Sequence, residues 1–222
     1  MCGVKLRKVF VCDMFGIGKK ITLYVDADDT ILKSSEAIVN MINKRFGVEP
    51  PRSVDDLCDW NYQSICPKMN GELVNEMYSS DEFFEVVEMD EGFAEFYQNN
   101  KNRFNWTVVT KGTPENLSKK KKLLIELMGK KIDFIGLPLS STCGFSKKKV
   151  DMSGGIQIDD RVDCMTDTNA AMKILVTWSR KLPWNKYDGG IDNFYITKDM
   201  KEVAEICEFA AKQANLFGLE KK

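Results

Sequence analysis

The hydrophobic pattern opens with a short run in which Ile21, Leu23 and Val25 alternate with Thr22 and Tyr24, and this predicts a buried strand. The run stops at Asp26-Ala27-Asp28-Asp29-Thr30. From Ser34 the apolar positions Ala37, Ile38, Met41, Ile42 and Phe46 fall at helical spacing, and Gly47 ends the helix. Pro50-Pro51-Arg52-Ser53 then breaks the chain. Residues 54–84 place Trp60, Tyr62, Met69, Met77, Tyr78, Phe83 and Phe84 among short helical fragments with no strand pattern, which reads as a small helical insertion. Alternation resumes with a helix from Glu91 to Gln98, a strand from Phe104 to Thr110, a helix from Pro114 to Met128 and a strand from Ile132 to Leu137. It continues with a strand from Gly155 to Asp160, a helical turn from Asn169 to Met172, a strand from Ile174 to Trp178 and an amphipathic helix from Lys198 to Phe217. Strands alternating with helices predict a doubly wound parallel sheet, whose sites form at the carboxyl ends of the strands.

Composition narrows the chemistry. The 222 residues are 43% apolar and 29% charged, with 32 basic and 33 acidic side chains, so a soluble protein with a real core is expected and nucleic-acid or membrane binding as the main activity has no electrostatic basis. The lysines from Lys119 to Lys122 sit in a helical pattern and read as a solvated face. No apolar run approaches the length of a membrane span. The stretch Val9 to Cys12 is interrupted by Asp13 with no small-residue cleavage site after it, so no signal peptide is expected and residues 1–20 read as an edge strand or a loose arm. Seven scattered cysteines without CxxC spacing suit a reducing cytoplasm rather than a disulfide framework or a zinc site. The chain has no histidine, which removes His triads, His bases and His metal ligands together.

Candidate chemistry gathers at strand ends. Three carboxylates in four residues, Asp26, Asp28 and Asp29, repel one another, and a cation would relieve them. Asp29 reads as a turn residue. Asp159 and Asp160 end a second strand, and Thr110, followed by Lys111, ends a third. In a parallel sheet these ends share one edge. A lysine is available ten residues before Asp159, at Lys149, with Lys147 and Lys148 as competitors that only spacing disfavours. Carboxylates, a hydroxyl and a lysine are what is needed to hold a magnesium ion and a phosphate together.

In order and spacing these residues resemble the four motifs of the haloacid dehalogenase-like phosphatases: Asp26-Ala27-Asp28-Asp29-Thr30, then Thr110 after Trp106-Thr107-Val108-Val109, then Lys149, then Asp159-Asp160. The likeness spans about residues 21 to 200. Within that superfamily the chain is similar to the 5′(3′)-deoxyribonucleotidases, through Asp81 to Met89, the step from Lys149 to Asp159, Ile158-Asp159-Asp160-Arg161 and Leu175 to Asn185. Where that family keeps an aromatic residue shortly after the first motif, this chain has Lys33-Ser34-Ser35.

The resemblance implies a Rossmann-like three-layer α/β core with a parallel sheet and a small helical cap inserted after the first strand. The core would comprise residues 21–34 and 85–222, the cap residues 35–84, and residues 1–20 an extension. It implies a magnesium-dependent phosphomonoesterase acting on (deoxy)nucleoside monophosphates. Asp26 would be the nucleophile, Asp28 a general acid–base of raised pKa, and Lys149 the charge neutraliser. Thr110, Lys111 and Lys149 would bind phosphate, while Asp26, Asp28 through its backbone carbonyl, Asp159 and Asp160 would hold Mg2+. Trp60 and Tyr78 would offer flat faces to the base. The alternatives are a sugar phosphate or another small phosphometabolite as substrate, or a catalytically silent binding module. A cytoplasmic protein, with no polymer or membrane partner and with a homodimer allowed, completes the expectation.

Overall fold

The computed structural model describes residues 20–139, 146–180 and 182–219. Six parallel strands form one sheet in the order β3-β2-β1-β4-β5-β6. They are β1 (Thr22–Val25), β2 (Asn105–Gly112), β3 (Asp133–Pro138), β4 (Ile156–Asp159), β5 (Met172–Val176) and β6 (Phe194–Thr197). Six α-helices accompany them among the described residues: α1 (Ser34–Phe46), α2 (Gly71–Ser79), α3 (Asp81–Val86), α4 (Glu91–Asn100), α5 (Pro114–Met128) and α6 (Met200–Leu219). This strand order is the doubly wound one in which the chain crosses from one side of the first strand to the other, leaving a crevice beyond that strand's carboxyl end.

The register sets what meets in that crevice. Val25 of β1 is level with Val108 of β2 and Ile158 of β4. Asp26 therefore leaves the sheet beside Asp159, and Thr110 follows two residues beyond Val108. Strands β4 and β5 are buried at every position, as a parallel sheet covered on both faces requires. Edge strand β3 is not.

Between β1 and α4 the chain makes an excursion whose two ends are hydrogen-bonded together. Lys33 N donates to Glu88 O at 2.9 Å and Asp90 N to Ile31 O at 2.9 Å, with Leu32 and Met89 paired antiparallel. The excursion carries α1, a 3-10 turn at Val54–Asp56, α2 and α3. No strand lies among its residues, as the pattern predicts. Its buried side chains, Tyr62, Met69, Met77 and Phe83 among them, join the same apolar cluster as the sheet.

Two local readings need correction, and one strand was not anticipated. Asn169 to Met172 is not helical: β5 begins at Met172, because Met172 to Val176 all find partners on β4 or β6 or face the core. Strand β6 has no counterpart in the sequence reading. It is four residues long, and Ile196 within it is 55% exposed, so it lacks the buried pattern of a central strand. The lysine-rich helix α5 is not a wholly solvated face, since Lys120 is fully buried. Residues 1–19, including Cys2 and Cys12, and Cys143 lie outside the described residues.

Candidate active site

The turn after β1 is built by its own backbone. Ala27 O accepts from both Ile31 N (3.0 Å) and Leu32 N (2.9 Å), and Asp29 sits in the left-handed region at φ 52°. Asp, like Asn, tolerates this conformation better than most residues. The Asp29 carboxylate accepts from Ser35 N at 2.8 Å and from the Ser35 hydroxyl. It thus caps α1, whose own N-cap residue, Lys33, makes no side-chain cap. That supports the reading of Asp29 as a turn residue, although Asp26, Asp28 and Asp29 all border the crevice.

Asp26 is buried and meets the second acidic pair directly. Asp26, Asp159 and Asp160 each present an oxygen within 4.8 Å of the others. Lys147 Nζ bridges two of them, lying 2.5 Å from Asp26 Oδ1 and 2.7 Å from Asp159 Oδ2. Asp159 also accepts from Arg161 N at 3.1 Å, while Asp160 Oδ2 accepts from Trp184 Nε1 at 3.2 Å. Burial, with Asp159 and Asp28 nearby, pushes the Asp26 carboxyl up to about 7 despite Lys147. Burial and the neighbouring carboxylates of Asp29, Asp159 and Asp26 hold Asp160 well above the carboxylate range. For Lys147 burial works downward, but Asp159 and Asp26 outweigh it and its pKa is raised. Three buried carboxylates with one resident lysine are an excess of negative charge, and a hard divalent cation with oxygen ligands fits that excess.

The lysine of this cluster is Lys147, and the assignment to Lys149 is corrected. Lys148 and Lys149 are exposed. The step from Lys147 to Asp159 begins in a loop, where helical or strand periodicity gives no guide to which of three consecutive lysines turns inward.

A second buried lysine escaped the sequence reading. Lys120 on α5 donates to Asp28 Oδ2 at 2.5 Å, to Thr110 Oγ1 at 3.2 Å and to Lys111 O at 3.4 Å. Asp28 Oδ1 accepts from Ser34 Oγ at 2.8 Å. Both Asp28 oxygens are thereby aimed. A signal existed: Asn116, Lys120, Leu124 and Met128, the buried positions of α5, recur every four residues.

Above these residues lies a cavity of about 430 Å³, within the range that holds small-molecule ligands. The sheet edge supplies Asp26, Asp28, Asp160, Lys111 and Gly112, and the excursion supplies Trp60, Val74, Asn75, Tyr78 and Ser79. Thr110 is fully buried behind this wall, with its hydroxyl on Lys120. Gly112 keeps the wall tight: a Cβ there would fall 2.2 Å from Asn116 Oδ1. The excursion is tied down beside the cavity, with Ser79 Oγ 2.9 Å from Thr113 Oγ1 and Asn116 Nδ2 donating to Tyr78 O at 2.5 Å.

Trp60 and Tyr78 both reach the cavity. The Tyr78 hydroxyl is taken up by Tyr62 at 3.0 Å, which in turn meets Ser35 Oγ at 3.1 Å. Arg161 Cζ lies 4.3 Å from the centre of the Trp60 ring, so one face of that ring is already covered. Phe83 is fully buried core. Cys164 lines the cavity, and burial pushes its thiol up, the condition of an inert structural thiol. The segment after β5 contributes two indoles whose roles sequence reasoning missed. Trp178 Nε1 donates to Asp29 O at 2.6 Å, and Trp184 Nε1 donates to Asp160.

No protein-family model matches the chain, and no curated protein sequence matches it. Solved structures do. A haloacid dehalogenase-like family hydrolase from Streptococcus pneumoniae superposes with a TM-score of 0.56 at 17% identity, covering 84% of this chain and 98% of that one. A putative HAD-hydrolase from Bacillus subtilis, described as bound to magnesium, gives 0.54 at 16% identity, covering 85% of this chain and 99% of that one. A HAD-superfamily hydrolase from Geobacter sulfurreducens gives 0.52 at 14% identity, covering 87% and 99%. Together with the parallel six-stranded sheet and the excursion after β1, these likenesses establish that the chain has the fold of the haloacid dehalogenase-like hydrolases.

Proposed function

We propose that the protein is a magnesium-dependent phosphomonoesterase acting on nucleoside monophosphates. One observation carries this reading: Asp26 lies buried at the end of the central strand, beside Lys147 and within 4.8 Å of Asp159 and Asp160, at a cavity of substrate size. The magnesium bound to the Bacillus subtilis hydrolase supports the choice of cation.

Asp26, Asp160 and Asp159 would hold the ion, with Asp160 facing the cavity. When bound, the ion neutralises the carboxylates and withdraws charge from the phosphoryl oxygens. Asp26 attacks phosphorus, forming an aspartyl-phosphate, and the ester oxygen leaves as an alcohol. Asp28, held by Ser34 and Lys120, gives that oxygen its proton and later takes one from the water that hydrolyses the acyl-phosphate. Lys147 balances the charge on Asp26. Lys111 and the amino end of α5 meet the phosphoryl oxygens, since a helix start presents N–H groups without helical partners and a positive dipole end. Thr110 keeps Lys120 in place from behind. The apolar surfaces of Val74 and Tyr78 and the exposed edge of Trp60 accept a flat leaving group and exclude water.

The test is phosphate release from deoxy- and ribonucleoside monophosphates and sugar phosphates, with magnesium and with EDTA. Magnesium-dependent turnover of nucleoside monophosphates is expected. Turnover of sugar phosphates alone would keep the mechanism and discard the substrate. No turnover of any ester while the protein binds magnesium would favour a silent binding module.

A further inference from the structure

Trp60 stands at a junction between the excursion and the cation-binding cluster. Its ring and that of Trp184 pack perpendicular to each other, with centroids 5.5 Å apart and planes at 89°. The Arg161 guanidinium lies over Trp60 at 4.3 Å and near Trp184 at 5.6 Å. Arg161 is itself oriented by two hydrogen bonds to Asp163, at 3.0 and 2.8 Å. Trp184 is clamped at both ends: its carbonyl accepts from Val162 N at 3.0 Å, and its indole N–H donates to Asp160 Oδ2 at 3.2 Å. A path of contacts thus runs from a half-exposed side chain of the excursion, through one indole, to a carboxylate of the acidic cluster.

We propose that Trp60 is a positioning residue that couples the seating of the helical excursion to the cation site, by fixing Trp184 and through it the rotamer of Asp160. With Trp60 seated, the Trp184 indole N–H is held on Asp160 Oδ2, and Asp160 keeps an oxygen within 4.8 Å of Asp26 and Asp159. With Trp60 withdrawn, Trp184 loses the ring against which it stands and Arg161 loses its covering face. Groups behind a ligand that fix its orientation change metal affinity by about 10- to 100-fold, so the coupling is measurable. It makes the cation site strongest when the excursion is closed over the cavity. Its consequence for Trp60 differs from base stacking: the ring serves the metal before it serves any substrate.

The inference rests on the cation site proposed above, and its test needs no turnover. Magnesium binding to the whole chain is measured by calorimetry without substrate, for the wild type and for Trp60→Ala, Trp184→Phe and the double variant. Trp184→Phe keeps a ring but removes the donor, and should weaken magnesium about 10-fold. Trp60→Ala should weaken it roughly 3- to 10-fold in the wild-type background and have almost no further effect in Trp184→Phe, because the path is already cut. Trp60→Phe should restore most of the affinity. Unchanged magnesium affinity in Trp60→Ala, with a raised KM for nucleotides, would overturn the coupling and make Trp60 a substrate platform only. Equal losses in both backgrounds would also overturn it. Absence of magnesium binding in the wild type would remove the cation site itself.

Discussion

Lys147 Nζ lies between Asp26 and Asp159, 2.5 Å from the first and 2.7 Å from the second, and joins the ends of β1 and β4 by one buried cation. Two of the three clustered carboxylates thus have a resident partner, while Asp26 and Asp160 border the cavity. Removing one member of such a buried group strands the others, typically at a cost of about 3–5 kcal/mol. Lys147→Met should therefore lower kcat/KM on the order of 100-fold, as loss of a preorganised charge does elsewhere, and destabilise the magnesium-free protein. Lys149→Met, on the exposed side of the same loop, should leave both within about two-fold and about 0.5 kcal/mol. Steady-state kinetics and urea unfolding of the two variants check this. Equal effects from both would contradict the assignment.

Lys120 makes a parallel case on α5. It is fully buried and paired with Asp28, whereas Lys121 beside it is exposed. Lys120→Met leaves Asp28 without its buried partner and should cost about 3 kcal/mol or more. Lys121→Met should stay within about 0.5 kcal/mol. Thermal unfolding of both in EDTA separates them. A stable, active Lys120→Met would show that Ser34 alone holds Asp28.

The acidic cluster predicts an uncommon pH dependence. Asp26 titrates at about 7 in the folded protein, above its ordinary 3.8, mainly through burial. A carboxyl with a raised folded pKa binds its proton more tightly folded than unfolded, so its contribution to stability falls as pH rises between those two values. The loss is at most roughly 4 kcal/mol for a three-unit shift. In EDTA, Asp26→Asn should therefore gain stability relative to the wild type between about pH 4.5 and about pH 7.5. Magnesium, which needs the ionised carboxylates, should stabilise the wild type more at the upper end. A stability difference independent of pH would contradict the burial account of Asp26.

Much of this was legible in the sequence. The β1 run with its abrupt Asp26-Ala27-Asp28 end and the Asp159-Asp160 pair lie where a parallel sheet must bring them together, whereas Thr110, read as a phosphate ligand, is buried behind the cavity wall with its hydroxyl on Lys120. What was not legible depended on packing. Periodicity cannot say which of Lys147, Lys148 and Lys149 turns inward from a loop. Four consecutive lysines on α5 hid the one that shares a face with Leu124 and Met128. Strand β6 is too short and too exposed to carry a pattern. The roles of Trp178 and Trp184 exist only because the segment after β5 folds back across β1 and β4. Nor does the sequence around Trp60 reveal that Arg161 covers one face of its ring while the residue still borders the cavity.

The excursion makes a further prediction about substrate size. Tyr78 and Val74 come from α2, which is fastened to α5 through Ser79, Thr113 and Asn116. Val74→Trp should fill the space facing the leaving group, raising KM for nucleoside monophosphates on the order of 10-fold while sparing a small ester such as methyl phosphate. Equal losses on both would mean that the leaving group lies elsewhere.

In the proposed reaction Asp26 carries the phosphoryl group. The most direct test of this is magnesium-dependent phosphate release by the wild type and by Asp26→Asn, assayed side by side on the best ester of the panel. Turnover in the wild type that is abolished by EDTA, and lower by on the order of 10³-fold or more in the variant, is the predicted result. Turnover in Asp26→Asn comparable to the wild type would contradict the account, because the nucleophile would then have to be some group other than the carboxylate at the end of β1.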